Sequence, residues 1–289
     1  MRTGLCWPTP GPDGAVERGL LARIRDELPL DVIRVNLDHR NPRVAEIIGE
    51  IREHGFEPLA ILDLDYDALK SWPADDRFGP LLWPYLEFCI DTVTRFGLRE
   101  VEVLNEPDIL HKLDPGLYGA VCNAVGSELK RRALDVTVIA AADMLTAHRK
   151  GSRRREWWGE ARTWLRPDLY DAVAVHPYRN PGPPDAARPF GTRKNEFDWI
   201  RYVAQKPVYV TETGWNLRET SEADHAAYLA RELDWCRKGG AVLTALYAHV
   251  GTPNGDDWGL FDGRDWRPRP AVQAVRQWIE GHRKDDHHV

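Results

Sequence analysis

Short apolar runs rich in β-branched residues recur along this chain about every 35 residues, with amphipathic segments between them. The runs are Thr3–Trp7, Val32–Leu37, Pro58–Asp63, Val101–Asn105, Val136–Ala141, Ala172–His176, Val208–Thr211 and Val242–Tyr247. Each is nearly continuous in apolar residues, the pattern of a strand covered on both faces. Helical spacing marks Glu17–Glu27, Arg43–His54, Pro80–Phe96, Leu117–Ala133, Trp157–Leu165, Asn195–Ala204, Glu222–Lys238 and Ala271–Glu280. Gly55, Gly97 and the pair Gly239-Gly240 stand where the second, third and seventh of these should stop. Eight strands alternating with eight helices predict an α/β chain folded as a (β/α)8 TIM barrel. It is read as a single domain over residues 1–282, with a polar tail at 283–289. A doubly wound open sheet would put a glycine-rich turn after its first strand, where Cys6-Trp-Pro-Thr-Pro-Gly stands instead.

Composition removes several classes of function. The net charge of −6 lacks the basic footprint of a nucleic-acid binder. No apolar run approaches the roughly 20 residues that cross a membrane. The first residues lack the apolar core of a secretion signal, so a cytoplasmic protein or an already mature segment is expected. Cys6, Cys89, Cys122 and Cys236 are scattered without a Cys-x-x-Cys pair and read as buried free thiols. Twelve tryptophans divide between core packing and flat platforms for a ligand.

In such a barrel the active site is built where the strands end. Polar and aromatic residues collect there. They are Asn36, Asp38 and His39 after the second run, Asp63 and Asp65 after the third, and Asn105 and Glu106 after the fourth. Asp143 follows the fifth run and His176 and Tyr178 the sixth; Glu212 and Trp215 follow the seventh, and Tyr247 and His249 the eighth. In Val-Glu-Val-Leu-Asn105-Glu106-Pro107, the proline has no N–H for a sheet ladder and marks the strand end. Burying Glu106 or Glu212 there costs free energy unless each is paired. Two carboxylates facing each other across a pocket suit glycoside cleavage, one as proton donor and the other as nucleophile or stabilising charge. Other readings stand beside this one. Glu106 could be a structural carboxylate, His176 a satisfied core histidine, and Asp63 a cap for the following segment. Arg34 could serve as an ion-pair partner of Glu102 or Glu212.

Asn105-Glu106-Pro107 after the fourth strand, with Thr211-Glu212-Thr-Gly-Trp215 after the seventh, resembles clan A of the retaining glycoside hydrolases. That resemblance implies Glu106 as acid/base, Glu212 as nucleophile, and Asn105 as holder of the sugar hydroxyl beside the reacting carbon. His176-Pro-Tyr178 is similar to the clan's element that steadies the nucleophile, and Arg34 to its arginine near that residue. Trp258-Gly-Leu-Phe-Asp262 and the last helix resemble its closing loop. The eighth strand reads Leu246-Tyr-Ala-His249, without the clan's stacking tryptophan, which leaves Tyr247 or Trp258 for that role. The implied partner is a carbohydrate, with Asp63, Trp215 and His249 as further contacts and no cofactor or metal. Such a cycle needs Glu106 protonated and Glu212 ionised.

Two other classes compete. Asp38, Asp63, Glu106 and His176 would suit a metal-dependent sugar isomerase or lyase, although no tight ligand spacing supports it. A carbohydrate-binding barrel without catalysis is the third class. The basic segment His148–Arg155 beside Trp157-Trp158, with Arg188, Arg193 and Lys194, would suit an anionic sugar; it equally suits a solvated loop.

Overall fold

The computed structural model describes residues 1–7, 18–64, 69, 82–108, 112–141, 153–178, 182–184, 197–198, 200–201, 204–247, 257–262 and 266–283. Eight strands pair in parallel and in chain order into a closed barrel. They are β1 (Arg2–Trp7), β2 (Val32–Asp38), β3 (Glu57–Asp63), β4 (Glu100–Val103), β5 (Thr137–Ala141), β6 (Ala172–Val175), β7 (Val208–Thr213) and β8 (Leu243–Leu246). Arg2↔Leu243 and Gly4↔Ala245 close the ring between β1 and β8. Every predicted strand is present, because each apolar run is buried on both sides and no other element could cover it.

Seven helices are described: α1 (Arg18–Glu27), α2 (Val44–Glu53), α3 (Leu82–Phe96), α4 (Pro115–Arg131), α5 (Arg153–Trp164), α6 (Glu222–Lys238) and α7 (Pro270–Arg283). In the remaining predicted helix, Asn195–Ala204, the described residues Phe197, Asp198, Ile200, Arg201 and Ala204 are helical. Helix α4 begins two residues before its predicted start because Asp114 caps it, accepting from Leu117 N at 3.0 Å, with Pro115 in the first turn. Ser221 caps α6 in the same way. Gly55, Gly97 and Gly240 take positive φ values of 75°, 54° and 74° just past their helices, the left-handed stops read from the sequence.

Strand alternation sorts the apolar side chains into two layers. Val35, Val103, Val175 and Val210 face outward into the layer beneath the helices. Cys6, Leu59, Ile139, Ala174, Tyr209 and Ala245 face inward and fill the lumen. Small residues on β6 and β8 leave room there for larger polar side chains from β2 and β4. At the N-terminal end of the lumen, Glu100 pairs with Arg2 and accepts from Tyr209 OH at 2.8 Å. All four cysteines are buried free thiols. No described helix is long and apolar enough to cross a membrane.

Candidate active site

Two departures from regular strand geometry aim the carboxylates. On β4, Glu102 points into the lumen, where it meets Arg34, and Val101 and Val103 point outward. Strict alternation would send Leu104 inward. Leu104 instead adopts a left-handed backbone (φ 64°) and packs in the outer layer, while its N–H extends the ladder to Leu62 O at 3.1 Å. Glu106 is also left-handed, with φ 41°. Such conformations cost about 1–3 kcal/mol each and persist where surrounding contacts fix them. Together they turn both Asn105 and Glu106 towards the mouth.

The second departure lies in β7. Its pairing with β8 runs from Val210↔Thr244 to Thr213↔Leu246, which gives β7 one residue more than its partner over that interval. An extra residue changes the phase of the side chains. Thr211 and Glu212, adjacent in sequence, therefore both face the lumen network.

That network is continuous. Arg34 on β2 donates through Nε to Glu102 at 2.7 Å, through Nη1 to Glu212 Oε1 at 2.5 Å, and through Nη2 to Asn105 Oδ1 at 2.9 Å. Tyr178 OH donates to the other oxygen of Glu212 at 2.6 Å. His176, immediately after β6, contacts Glu106 Oε1 through Nδ1 at 2.6 Å and Thr211 Oγ1 through Nε2 at 3.0 Å. Thr211 in turn donates to Glu102 at 3.1 Å. The two readings of Arg34 are therefore both realised, because it serves Glu102 and Glu212 together.

Charge follows from these contacts. Burial disfavours ionised Glu212, but the positive His176 and Arg34 outweigh it, with help from the Tyr178 and Arg34 hydrogen bonds. The carboxyl stays below its ordinary range. Burial likewise opposes a charged His176, yet the Glu212 charge and the bond to Glu106 raise it to about 9. Burial and the neighbouring Glu212 push the Tyr178 hydroxyl well up, so it remains a donor.

Around Glu212 stands an aromatic wall. Tyr178, Tyr247 and Trp258 meet edge to face, with centroids 5.2 to 6.0 Å apart. A Cβ at Gly214 would lie 2.1 Å from the Tyr247 carbonyl oxygen, so only glycine lets the ends of β7 and β8 approach this closely. Asp257 forms a two-pronged pair with Arg269, both contacts at 2.7 Å, and so anchors the segment carrying Trp258.

The other expected residues divide. Asp63 sits at the rim and accepts from Asn36 Nδ2 at 2.7 Å and from the N–H of Leu64. Asp38 is engaged by Arg40 at 2.9 Å. Trp215 is a correction: it is 0% exposed, donates to Gly182 O at 2.8 Å and packs against Tyr228 of α6. Its ring offers no face to a ligand, since the residue lies past the bulge in the outer layer. The indoles beside the basic segment are likewise occupied. Trp157 donates to Leu113 O and packs on Tyr118, while Trp158 is buried. His249, Asp65, Asp143, Arg188, Arg193, Lys194 and the side chains of His148–Arg155 lie outside the described residues. Glu102 and Thr211 belong to this network without a catalytic role that the sequence reveals. The available signal was a charged residue repeated at Glu100 and Glu102 in a strand otherwise buried on both faces.

Glu106, His176 and Glu212 present one donor atom each within 4.8 Å of one another, a spacing that would interest a divalent cation. Their chemistry fits a metal poorly. Both His176 nitrogens are engaged by Glu106 and Thr211, and both Glu212 oxygens accept from Arg34 and Tyr178. The fixed guanidinium of Arg34 would also repel a second cation.

No protein-family model matches the chain. No curated protein matches it in sequence. Solved structures do match in fold. A family 39 glycoside hydrolase from Bacteroides cellulosilyticus WH2 superposes with a TM-score of 0.74 at 19% identity over 96% of this chain. The present chain spans only 63% of that protein's length. An endo-β-1,4-glucanase from Xanthomonas axonopodis pv. citri gives 0.68 at 10% identity, covering 97% of this chain and 98% of that one. An endo-β-1,4-mannanase from Thermotoga petrophila gives 0.65 at 12% identity, covering 96% and 76%. In fold, then, the chain is a single (β/α)8 barrel, similar to the folds of these three solved structures.

Proposed function

We propose that the protein is a retaining glycoside hydrolase acting on a carbohydrate, with Glu212 as nucleophile and Glu106 as acid/base. The observation that carries this reading is the separation of the two carboxyl groups, with oxygens within 4.8 Å across the mouth. Retaining enzymes hold their carboxyl groups about 5–5.5 Å apart, whereas inverting enzymes need roughly 6.5–9.5 Å to admit a water. Oxygens this close support the shorter, retaining spacing over the longer one.

The electrostatics support the role given to Glu212. Glu212 is kept ionised by Arg34, His176 and Tyr178, so it can attack the anomeric carbon. As that bond forms, the glycosidic C–O bond breaks and Glu106 delivers a proton to the departing oxygen. Glu106 then takes a proton from water, whose oxygen displaces Glu212 and frees the sugar. Asn105, which accepts from Arg34, takes the hydroxyl next to the reacting carbon in this reading, and Tyr178, Tyr247 and Trp258 supply apolar faces. No step requires a cofactor.

The test is intact-mass analysis after incubation with 2-deoxy-2-fluoro glycosyl fluorides. The glucosyl and mannosyl compounds come first, because structurally similar proteins are a glucanase and a mannanase. A single adduct mapping to Glu212, absent in Glu212→Gln, is the expected result. Hydrolysis of a glycoside that proceeds with inversion, or that stops on removal of divalent metal by EDTA, would overturn the proposal.

A further inference from the structure

Glu102 is 0% exposed, so no substrate reaches it, yet it touches both halves of the site. Its Oε2 accepts from Arg34, the residue that holds Glu212; its Oε1 accepts from Thr211, the residue that holds His176. Direction can be read along the second arm. An ion-paired carboxylate only accepts, and a threonine hydroxyl has one hydrogen to give. With that hydrogen committed to Glu102, Thr211 Oγ1 faces His176 Nε2 as an acceptor, and Nε2 must carry its own hydrogen. What remains is Nδ1 against Glu106 Oε1 at 2.6 Å, with one proton between them. The proton sits either on His176, giving an imidazolium beside a carboxylate, or on Glu106, giving a carboxylic acid that donates to a neutral ring.

We propose that Glu102 is a positioning residue for both carboxylates, steadying Glu212 through Arg34 and fixing through Thr211 the ring nitrogen with which His176 meets Glu106. This rests on the assignment of Glu106 as acid/base. The catalytic proton is then held jointly by Glu106 and His176. It leaves for the glycosidic oxygen as the C–O bond breaks, and a proton from water restores it in the second half of the cycle. His176, raised to about 9 against the effect of burial by Glu212 and Glu106, retains that proton through neutral pH. The charged and titratable groups facing the ring are Glu106, Glu212, Glu102, Arg34 and Tyr178.

The decisive measurement is the tautomer of His176, read by NMR on protein labelled with 15N-histidine. Its signals are assigned by their loss in His176→Gln. In Glu106→Gln, whose amide can either give to or take from Nδ1, the neutral ring should carry its hydrogen on Nε2. Adding Thr211→Val removes the acceptor, and the hydrogen should move to Nδ1, against the amide oxygen; Thr211→Ser in the same background should keep it on Nε2. Glu102→Gln, if it folds, should act in the same direction, because an amide nitrogen turned to Thr211 reverses the chain. On a sugar that labels Glu212, Thr211→Val should lower kcat/KM for an alkyl glycoside by about 10–100-fold. The 2,4-dinitrophenyl glycoside, which needs no proton to leave, should lose far less. A neutral ring protonated on Nδ1 in Glu106→Gln, or a tautomer that Thr211→Val leaves unchanged there, would overturn the inference. The tautomer is measured without any substrate, so failure of the glycosidase reading is seen separately, as absence of labelling at Glu212.

Discussion

Arg34 reaches Glu212 across 2.5 Å while the same guanidinium holds Glu102 at 2.7 Å, so one cation serves two buried carboxylates from opposite sides of the lumen. Removing it strands both. Arg34→Met should cost about 3–5 kcal/mol in urea unfolding, the usual penalty for leaving a buried charge unpaired. Arg34→Lys keeps the charge but not the fork, and should lose less stability while still losing most of kcat. Equal stability of Arg34→Met and wild type would show that the pair is not intact in solution.

Removing the Glu212 carboxylate should abolish turnover rather than weaken binding. Glu212→Gln is expected to lower kcat by at least about 10⁴-fold, a loss typical of a missing nucleophile. Isothermal titration with a substrate that the wild type cleaves should give a Kd close to the wild-type KM. Retained turnover would assign the nucleophile elsewhere.

The two histidines buried among the described residues, His176 and His225, should tilt the pH-stability curve in opposite directions. His176 is raised to about 9 when folded, from an ordinary value near 6.5. Its contribution is therefore complete below about pH 6.5 and fades as pH rises through 9. Unfolding free energies at pH 6 and pH 10 should differ more in the wild type than in His176→Gln.

His225 on α6 is 1% exposed and neither ring nitrogen has a hydrogen-bond partner among the described residues. Burial first, and then Arg269, lower it to about 4, with Asp257 opposing. A histidine depressed on folding is stabilised neutral, so stability should fall as pH drops from 6.5 towards 4. His225→Leu should flatten that acid limb in a melting series, and an unchanged limb would assign it to other groups.

At Gly214 a side chain has nowhere to go. Gly214→Ala places a methyl 2.1 Å from Tyr247 O, and should destabilise by about 1–3 kcal/mol, as overpacking does. Because Tyr247 and Trp258 would shift together, KM should rise as well. Thermal melting and steady-state kinetics on the same preparation measure both.

The barrel was legible in the sequence because its signals are redundant. Each strand is an apolar run long enough to be recognised alone, and the helix stops at Gly55 and Gly97 carry their own backbone chemistry. The pairing of Glu106 with Glu212 was legible for a different reason: a carboxylate at the end of a buried strand has few uses besides chemistry. Trp215 was misplaced because a motif gives order along the chain and not rotation about it. Its neighbour Glu212 faces the lumen while Trp215 packs under α6. The link from Glu102 to Thr211 was hidden, since a hydrogen bond between residues 109 positions apart leaves no local pattern.

The additional residue in β7 has a wider consequence. It lets two successive side chains enter the lumen, one to steady His176 and one to serve as the proposed nucleophile. Grafting these side chains onto a regular eight-stranded scaffold would therefore fail if only their identities were copied, because one of the two would emerge on the helix side. Deleting Thr211 should leave a barrel that closes with a regular β7 and keeps Glu212 in the lumen, but loses the hydroxyl that meets His176 and Glu102. In this chain the smallest transferable unit of the site is the side chains together with their irregularity, and sequence comparison across unrelated barrels should align the insertion before it aligns the glutamate.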